Sequence, residues 1–351
     1  MLGLYHIRNS ISYNPFMQMS KKIAIDLGTA NSIVYVLGKG VVANEPTVVA
    51  VTIDDERIIA VGKEAREMMG KTPEGLTATR PLRSGVIADY LVTEALLKYL
   101  IDKAVGRARL FKPEVMVSIP AGATSVEARA VLDAAYSAGA RVAYLIPEPL
   151  AAAIGTGLPI SEPTGNMVVN IGGGTSEIAV VSLYGMVSHG SVRIGGNSLD
   201  EAIATHIRRK YNLLIGDNTA ERVKIQIGAA FPLPKDEKME VKGRDSVSGL
   251  PRTVSITSGE IVQALAQPLA QIAIGIKNVL EQTPPELASD IIDKGIVLTG
   301  GTSLLRNLDK YITHFTGVPA HVADDPLLCV VHGIAKVMEN LEIFDKSIVK
   351  R

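Results

Sequence analysis

Two blocks of this chain share one hydrophobic pattern. The first is Lys21-Lys-Ile-Ala-Ile-Asp26-Leu-Gly28-Thr29-Ala30-Asn31-Ser32, followed by Ile-Val-Tyr-Val. The second is Met167-Val-Val-Asn170-Ile-Gly172-Gly173-Gly174-Thr175-Ser176-Glu, followed by Ile-Ala-Val-Val. Each reads as an apolar strand, a polar residue near its end, a Gly/Thr turn and a second apolar strand. Glycine lets such a turn take positive φ and brings backbone N–H groups close to a ligand. One such unit is usually only a hairpin. Two in one chain, each with a carboxylate or amide before the turn, predict two clamps closing on one polyphosphate from opposite sides.

The same patterning predicts strands near 22–27, 32–37, 41–44 and 48–53, a short helix at 62–69 and a longer one at 89–105. A strand follows at 114–119. Thr124 with Glu127 forms a capping box opening a helix over 124–138. A strand at 141–146 leads to Pro147, which starts a helix through Ile154. The second half repeats the scheme. A hairpin unit over 166–193 precedes helix 196–211. Thr219 caps helix 220–228, and the polar stretch 231–257 alternates like a hairpin. Ser258 caps a helix over 259–282, ended by Thr283-Pro284-Pro285. Strand 295–299 runs through Gly300-Gly301-Thr302-Ser303 into helix 303–315, and helix 327–341 follows. The expectation is an α/β fold duplicated at domain scale, without a short-period repeat.

Composition narrows the classes. A chain of 351 residues with 47% hydrophobic and 21% charged residues has ample material for two cores. Lys+Arg and Asp+Glu both number 36, so gross charge favours no nucleic-acid partner. A neutral, apolar chain also self-associates readily. The single Cys329 excludes an internal disulfide and a zinc site built on cysteines, which fits a reducing cytoplasm. No run approaches the roughly 20 apolar residues of a membrane span. Residues 1–19 carry Leu2, Leu4, Tyr5, Ile7, Ile11, Tyr13, Phe16 and Met17 without the pattern of a signal peptide. They are either a short amphipathic arm or a start-site artefact with Met19 as the true start.

Candidate chemistry gathers on the turns. Asp26, at the end of an apolar strand, is either a partner of Mg2+ beside the β/γ-phosphates or an acceptor of turn N–H bonds. Gly300, Gly301 and Thr302 join a strand to a helix, a place where backbone can lie against a ligand. Glu221 and Lys224 share one helix face and hold either a ribose and base or each other. Glu148, between Pro147 and Pro149, can order an attacking water or simply complement a helix dipole. Gly70-Lys71-Thr72 mimics the end of a P-loop, but the first glycine is missing and the preceding segment reads as helix, so it is set aside.

Taken together, these features resemble the actin/Hsp70/sugar-kinase superfamily, and most closely its MreB family of bacterial actins. The resemblance is carried by Ile25-Asp-Leu-Gly-Thr-Ala-Asn31, Asn44-Glu-Pro46, Arg80-Pro81, Asp89-Tyr90, Glu148-Pro149 with Ala151-Ala-Ala-Ile-Gly155, Gly172-Gly-Gly-Thr175, Thr219-Ala-Glu-Arg-Val-Lys-Ile225, Thr283-Pro-Pro-Glu-Leu287 and Leu298-Thr-Gly-Gly301. It runs from about Lys21 to Glu342. It implies an actin-like ATPase fold, with two duplicated domains around a nucleotide cleft and a smaller subdomain on each. The implied division is an extension 1–19, domain I over 20–162 (small subdomain about 50–82), domain II over 163–334 (small subdomain about 199–262) and a segment 335–351 returning to domain I.

The resemblance also implies ATP/ADP with Mg2+, slow hydrolysis and self-assembly into filaments, as paired protofilaments on the inner face of the cytoplasmic membrane, alongside cell-elongation and wall-synthesis proteins. By position, Asp26, Gly28, Thr29, Ala30 and Asn31 form the first phosphate loop, and Gly172, Gly173, Gly174 and Thr175 the second. Asp26 would reach the metal through water, and Glu148 would position the hydrolytic water, with Asn170 and Thr175 beside it. Glu221 and Lys224 would face the ribose and base, and Gly300, Gly301 and Thr302 the adenosine. Leu110 and Phe111 match a loop that some members insert into the bilayer. Four residues depart from the family pattern: Asn170 for an Asp, Pro147 for a Glu, Gln226 for a Glu and Thr302 for a Gly. The first of these predicts reduced metal affinity and slow turnover. A phosphotransferase of the sugar- or acetate-kinase branch is the alternative, but the chain shows no distinctive acceptor motif. An Hsp70-like chaperone would need a substrate-binding domain beyond residue 342.

Overall fold

The computed structural model describes residues 20–106 and 111–350; residues 1–19 and Leu110 lie outside the described residues. Two central sheets organise the chain. The first runs in the order Val349–Lys350, Val142–Pro147, Glu114–Ile119, Lys22–Leu27, Asn31–Val36, Gly40–Pro46. The second runs Gly185–Val192, Ser176–Ser182, Asn166–Ile171, Ile296–Thr299, Ala320–Val322. Each contains an antiparallel three-strand meander whose first strand then pairs in parallel with a later one. The duplication expected from the two hairpins is therefore present as one topology used twice.

Burial follows from that layering. The strands Asn166–Ile171 and Ser176–Ser182 are buried at every position, because helices cover both faces of their sheet. The main apolar core of each lobe lies around Leu96, Leu100 and Val117 in the first and Ile203, Leu265 and Ile272 in the second. A third core lies between the lobes. It is built on the helices Glu148–Gly155 and Cys329–Glu339, which cross at backbone contact. A Cβ on Gly155 would stand 1.7 Å from the Cys329 carbonyl oxygen, and one on Gly333 1.8 Å from that of Ala151. Only glycine permits that approach. Each helix also leans on the opposite lobe's sheet: Glu148–Gly155 on Asn166–Ile171, and Cys329–Glu339 on Lys22–Leu27.

Smaller sheets extend both lobes. Val49–Thr52 lies between Ile58–Val61 and Leu76–Thr79, with the helix Lys63–Met68 packed beside them. In the second half, Lys238–Asp245 lies between Leu213–Leu214 and Pro251–Thr257.

Four local expectations are corrected. The helix placed at 220–228 begins at Asp217 behind Gly216, so Thr219 falls inside its first turn. The long helix Ser258–Glu281 is capped by Thr257, whose hydroxyl accepts from the Glu260 N–H while Glu260 accepts from the Thr257 N–H. The helix placed at 303–315 is a 3-10 turn, Gly301–Leu304, followed by helix Leu308–Thr316; Asn307 at φ 61° separates them. After Pro284 a further helix, Pro285–Lys294, starts with proline in its first turn.

Candidate functional site

The turn of the first hairpin is held from below. Thr47 donates its hydroxyl to the Gly28 carbonyl at 2.6 Å and pairs with the Ser32 hydroxyl at 2.8 Å. Asp26 sits at the strand end beside Ser118 of the neighbouring parallel strand, which donates to Asp26 Oδ1 at 2.9 Å. In the second hairpin the Gly172 N–H donates to the Thr175 carbonyl at 2.9 Å, closing the turn. The Gly172 and Gly173 carbonyls accept from the N–H groups of Gly196 and Asn197, at the start of the next helix.

The two turns meet. A Cβ on Gly173 would stand 2.5 Å from the Ala30 Cβ, and one on Gly174 2.6 Å from Thr29 Oγ1. The glycines are thus what allows one turn to seat against the other. Between them opens a cavity of about 380 Å3. Every residue that the sequence assigned to nucleotide or catalysis lines it: Asp26, Gly28, Thr29, Ala30, Asn31, Glu148, Asn170, Gly172, Gly173, Gly174, Thr175, Glu221, Lys224, Gly300, Gly301 and Thr302. Asp200, Ile225, Arg306 and Leu327 line it too and were not foreseen. Asp200 had no local signal, whereas Ile225 directly follows Lys224 in the quoted motif.

The cavity floor carries buried carboxylates. Burial pushes Asp26 up to about 6, against the Ser118 hydrogen bond that opposes the shift. Burial raises Glu148 well above the ordinary carboxylate range, and the charges of Asp26 and Glu177 add to it. Glu177 is likewise raised by burial, although the Ser191 hydroxyl and the Ala121 N–H both donate to it. Glu177 thereby ties the second hairpin to the loop after the first lobe's strand Glu114–Ile119.

Other assigned residues have partners of their own. Lys224 donates to Asp200 Oδ2 and to the Gly196 carbonyl, each at 3.0 Å. Glu221 accepts from Arg66 of the first lobe, so its ion pair is made across the cleft and not with Lys224. Thr302, the departure in the third turn, donates to the Gly172 carbonyl at 2.9 Å and so binds that turn to the second hairpin. The third turn is a 3-10 turn and not the helix N-terminus expected there. Phe111 is half-buried and lies away from the cavity lining.

Two duplicated α/β lobes closing on a shared cleft define an actin-like protein. The chain belongs to the MreB/Mbl family: the family model for MreB/Mbl protein matches residues 20–346. It is 50% identical over 329 residues to the cell shape-determining protein MreB of Escherichia coli, covering 92% of this chain and 95% of that one. It is 46% identical over 327 residues to the cell shape-determining protein Mbl of Bacillus subtilis, covering 93% and 98%. Among solved structures it is similar to MreB5 of Spiroplasma citri bound to ADP, with a TM-score of 0.88 and 37% identity over 94% of this chain and 99% of that one. A second structure of that protein holds AMPPNP.

Proposed function

We propose that this chain is an actin-like cytoskeletal protein that binds ATP or ADP with Mg2+ between its lobes. In this reading it is a slow ATPase that polymerises into paired homopolymeric protofilaments organising cell-wall synthesis and cell shape. The filaments would lie in the cytoplasm against the inner face of the membrane, where cell-elongation and wall-synthesis proteins meet them. The observation that carries the reading is the seating of the Gly172–Thr175 turn on the Gly28–Asn31 turn, with the cavity between. The cell shape-determining relatives and the nucleotides in the Spiroplasma structures support it.

The roles follow from position. Backbone N–H groups of the two turns hold the phosphates, and Glu221, Lys224 and the Gly300–Thr302 turn hold ribose and base. Glu148 orients the attacking water. The donor set also fits Mg2+. Among the described residues no three His, Cys, Asp or Glu side chains cluster closely enough to hold an ion alone. An ion here would take most of its ligands from water and phosphate, as Mg2+ does, with Asp26 held through water. Bound there, it supplies positive charge that neutralises the phosphates and relieves the repulsion among the buried carboxylates. The lobes divide as 20–162 and 163–334, with 335–351 returning; the pairing of Val349–Lys350 with Val142–Pro147 supports the return.

Head-to-tail contacts that do not close make filaments. Sedimentation and electron microscopy with ATP and Mg2+, with and without lipid vesicles, test the reading. A pelleting polymer above a critical concentration is expected. Monomer at all micromolar concentrations would overturn it, and linear turnover stimulated by a sugar would favour a phosphotransferase.

A further inference from the structure

Asn170 has both ends of its side chain engaged. Its Oδ1 accepts from the Thr299 hydroxyl at 2.9 Å, and its Nδ2 donates to Glu148 Oε1 at 2.5 Å. Strand register brings the first pair together, since Asn170 and Thr299 are direct partners in the parallel pairing of Asn166–Ile171 with Ile296–Thr299. Thr299 is fully buried and Asn170 is 2% exposed, so water does not compete for the bond between them.

The amide has only one good orientation. Turned over, it would set its oxygen against the oxygens of an ionised Glu148, while the Thr299 hydroxyl could pair with either end. As placed, it gives a donor to Glu148, charge-assisted when that carboxyl is ionised, and an acceptor to the hydroxyl. Among the described residues the Glu148 carboxylate has no other hydrogen-bond donor, and its backbone is fixed in the first turn of helix Glu148–Gly155. Asn170 therefore holds one carboxylate oxygen of Glu148, and the other remains for water in the cavity. An acid at 170 could not donate in its ionised form, and Asp26 and Glu177 already crowd Glu148 with negative charge.

We infer that Asn170 is a positioning residue for Glu148, oriented by Thr299, and that this Thr299–Asn170–Glu148 chain of hydrogen bonds sets the geometry of the water-directed carboxylate. The inference rests on the reading of the cavity as an ATPase site. It differs from the expectation that Asn170 acts chiefly by weakening the hold on Mg2+.

The test uses the full-length chain with ATP and Mg2+, measuring single-turnover hydrolysis beside the affinity for a fluorescent ATP analogue. Thr299→Val keeps the shape and removes the donor. Hydrolysis should slow about tenfold, as when a group behind a first-contact residue is lost, while nucleotide affinity changes less than about twofold. Thr299→Ser, which keeps the hydroxyl, should recover about half of the wild-type rate or more. Asn170→Ala should show the same split between rate and affinity, and thermal melting checks that each variant is folded. Folded Thr299→Val and Asn170→Ala variants that hydrolyse at the wild-type rate, or that lose rate and affinity together, would overturn the positioning role alone. A wild-type chain that binds no ATP would overturn the ATPase reading and this role with it.

Discussion

Arg66 of the first lobe and Glu221 of the second form an ion pair across the mouth of the cleft, 155 residues apart in sequence. Glu221 lines the cavity between the two hairpin turns at the same time. Closure of the lips and the proposed contact with a ribose would therefore converge on one carboxylate.

Both partners are about 30% exposed (29% and 31%), so the pair adds little to stability, up to about 1 kcal/mol. Its effect should appear in opening. Arg66→Ala is expected to leave the melting temperature nearly unchanged and to speed nucleotide release by up to about fivefold. Hydrogen exchange should rise in 217–227. Stopped-flow release and exchange mass spectrometry read both; if neither moves, the pair is ornamental to the cleft.

Gly333→Ala should be strongly destabilising. On an exposed helix this change stabilises by about 1 kcal/mol. Here the added carbon meets the Ala151 carbonyl at 1.8 Å, backbone that cannot rotate away. The expected cost is about 3 kcal/mol or more, seen as a large drop in the denaturation midpoint. A neutral substitution would show that the two helices do not cross as described.

The resemblance of Leu110 and Phe111 to a bilayer-inserting loop gives a membrane prediction. Burying Leu110 and Phe111 in lipid yields about 3–5 kcal/mol together, marginal for one copy and multiplied along a filament. Leu110→Ser with Phe111→Ser should abolish co-sedimentation with vesicles and leave assembly in solution intact. Undiminished lipid binding would shift attention to residues 1–19.

Glu260 predicts an acid sensitivity. Burial would raise its carboxyl, but bonds from Lys210, Tyr211 and the Thr257 N–H outweigh it and hold the group at about 2. Because the folded value is depressed, the stabilisation is present above the ordinary value near 4.5 and is lost as pH falls towards 2. Over that window the wild type should lose about 1.5 kcal/mol more than Glu260→Gln. Parallel acid-dependent melts of both proteins would refute this.

The sequence announced those features whose cause is local. Both hairpins, the Thr124–Glu127 box and the helix behind Pro147 are written in neighbouring residues. The cap at Thr257 was legible as well: Thr257-Ser-Gly-Glu260 satisfies the box, whereas three residues after Ser258 stands Ile261. The start of helix Asp217–Ile227 is not legible in the sequence, because its N-cap, Gly216, offers no side chain to announce it. What stayed hidden is pairing at a distance. Nothing near Glu221 names Arg66, nothing near Lys224 names Asp200, and Asn170 meets Thr299 only through the register of two strands.

The crossing of Glu148–Gly155 with Cys329–Glu339 has a mechanical consequence. The two helices meet at backbone through Gly155 and Gly333, where no side chain fits between them. If the angle between the lobes changes, this crossing is where they would pivot. A small change of angle there would become its largest displacement at the far lips, where Arg66 faces Glu221.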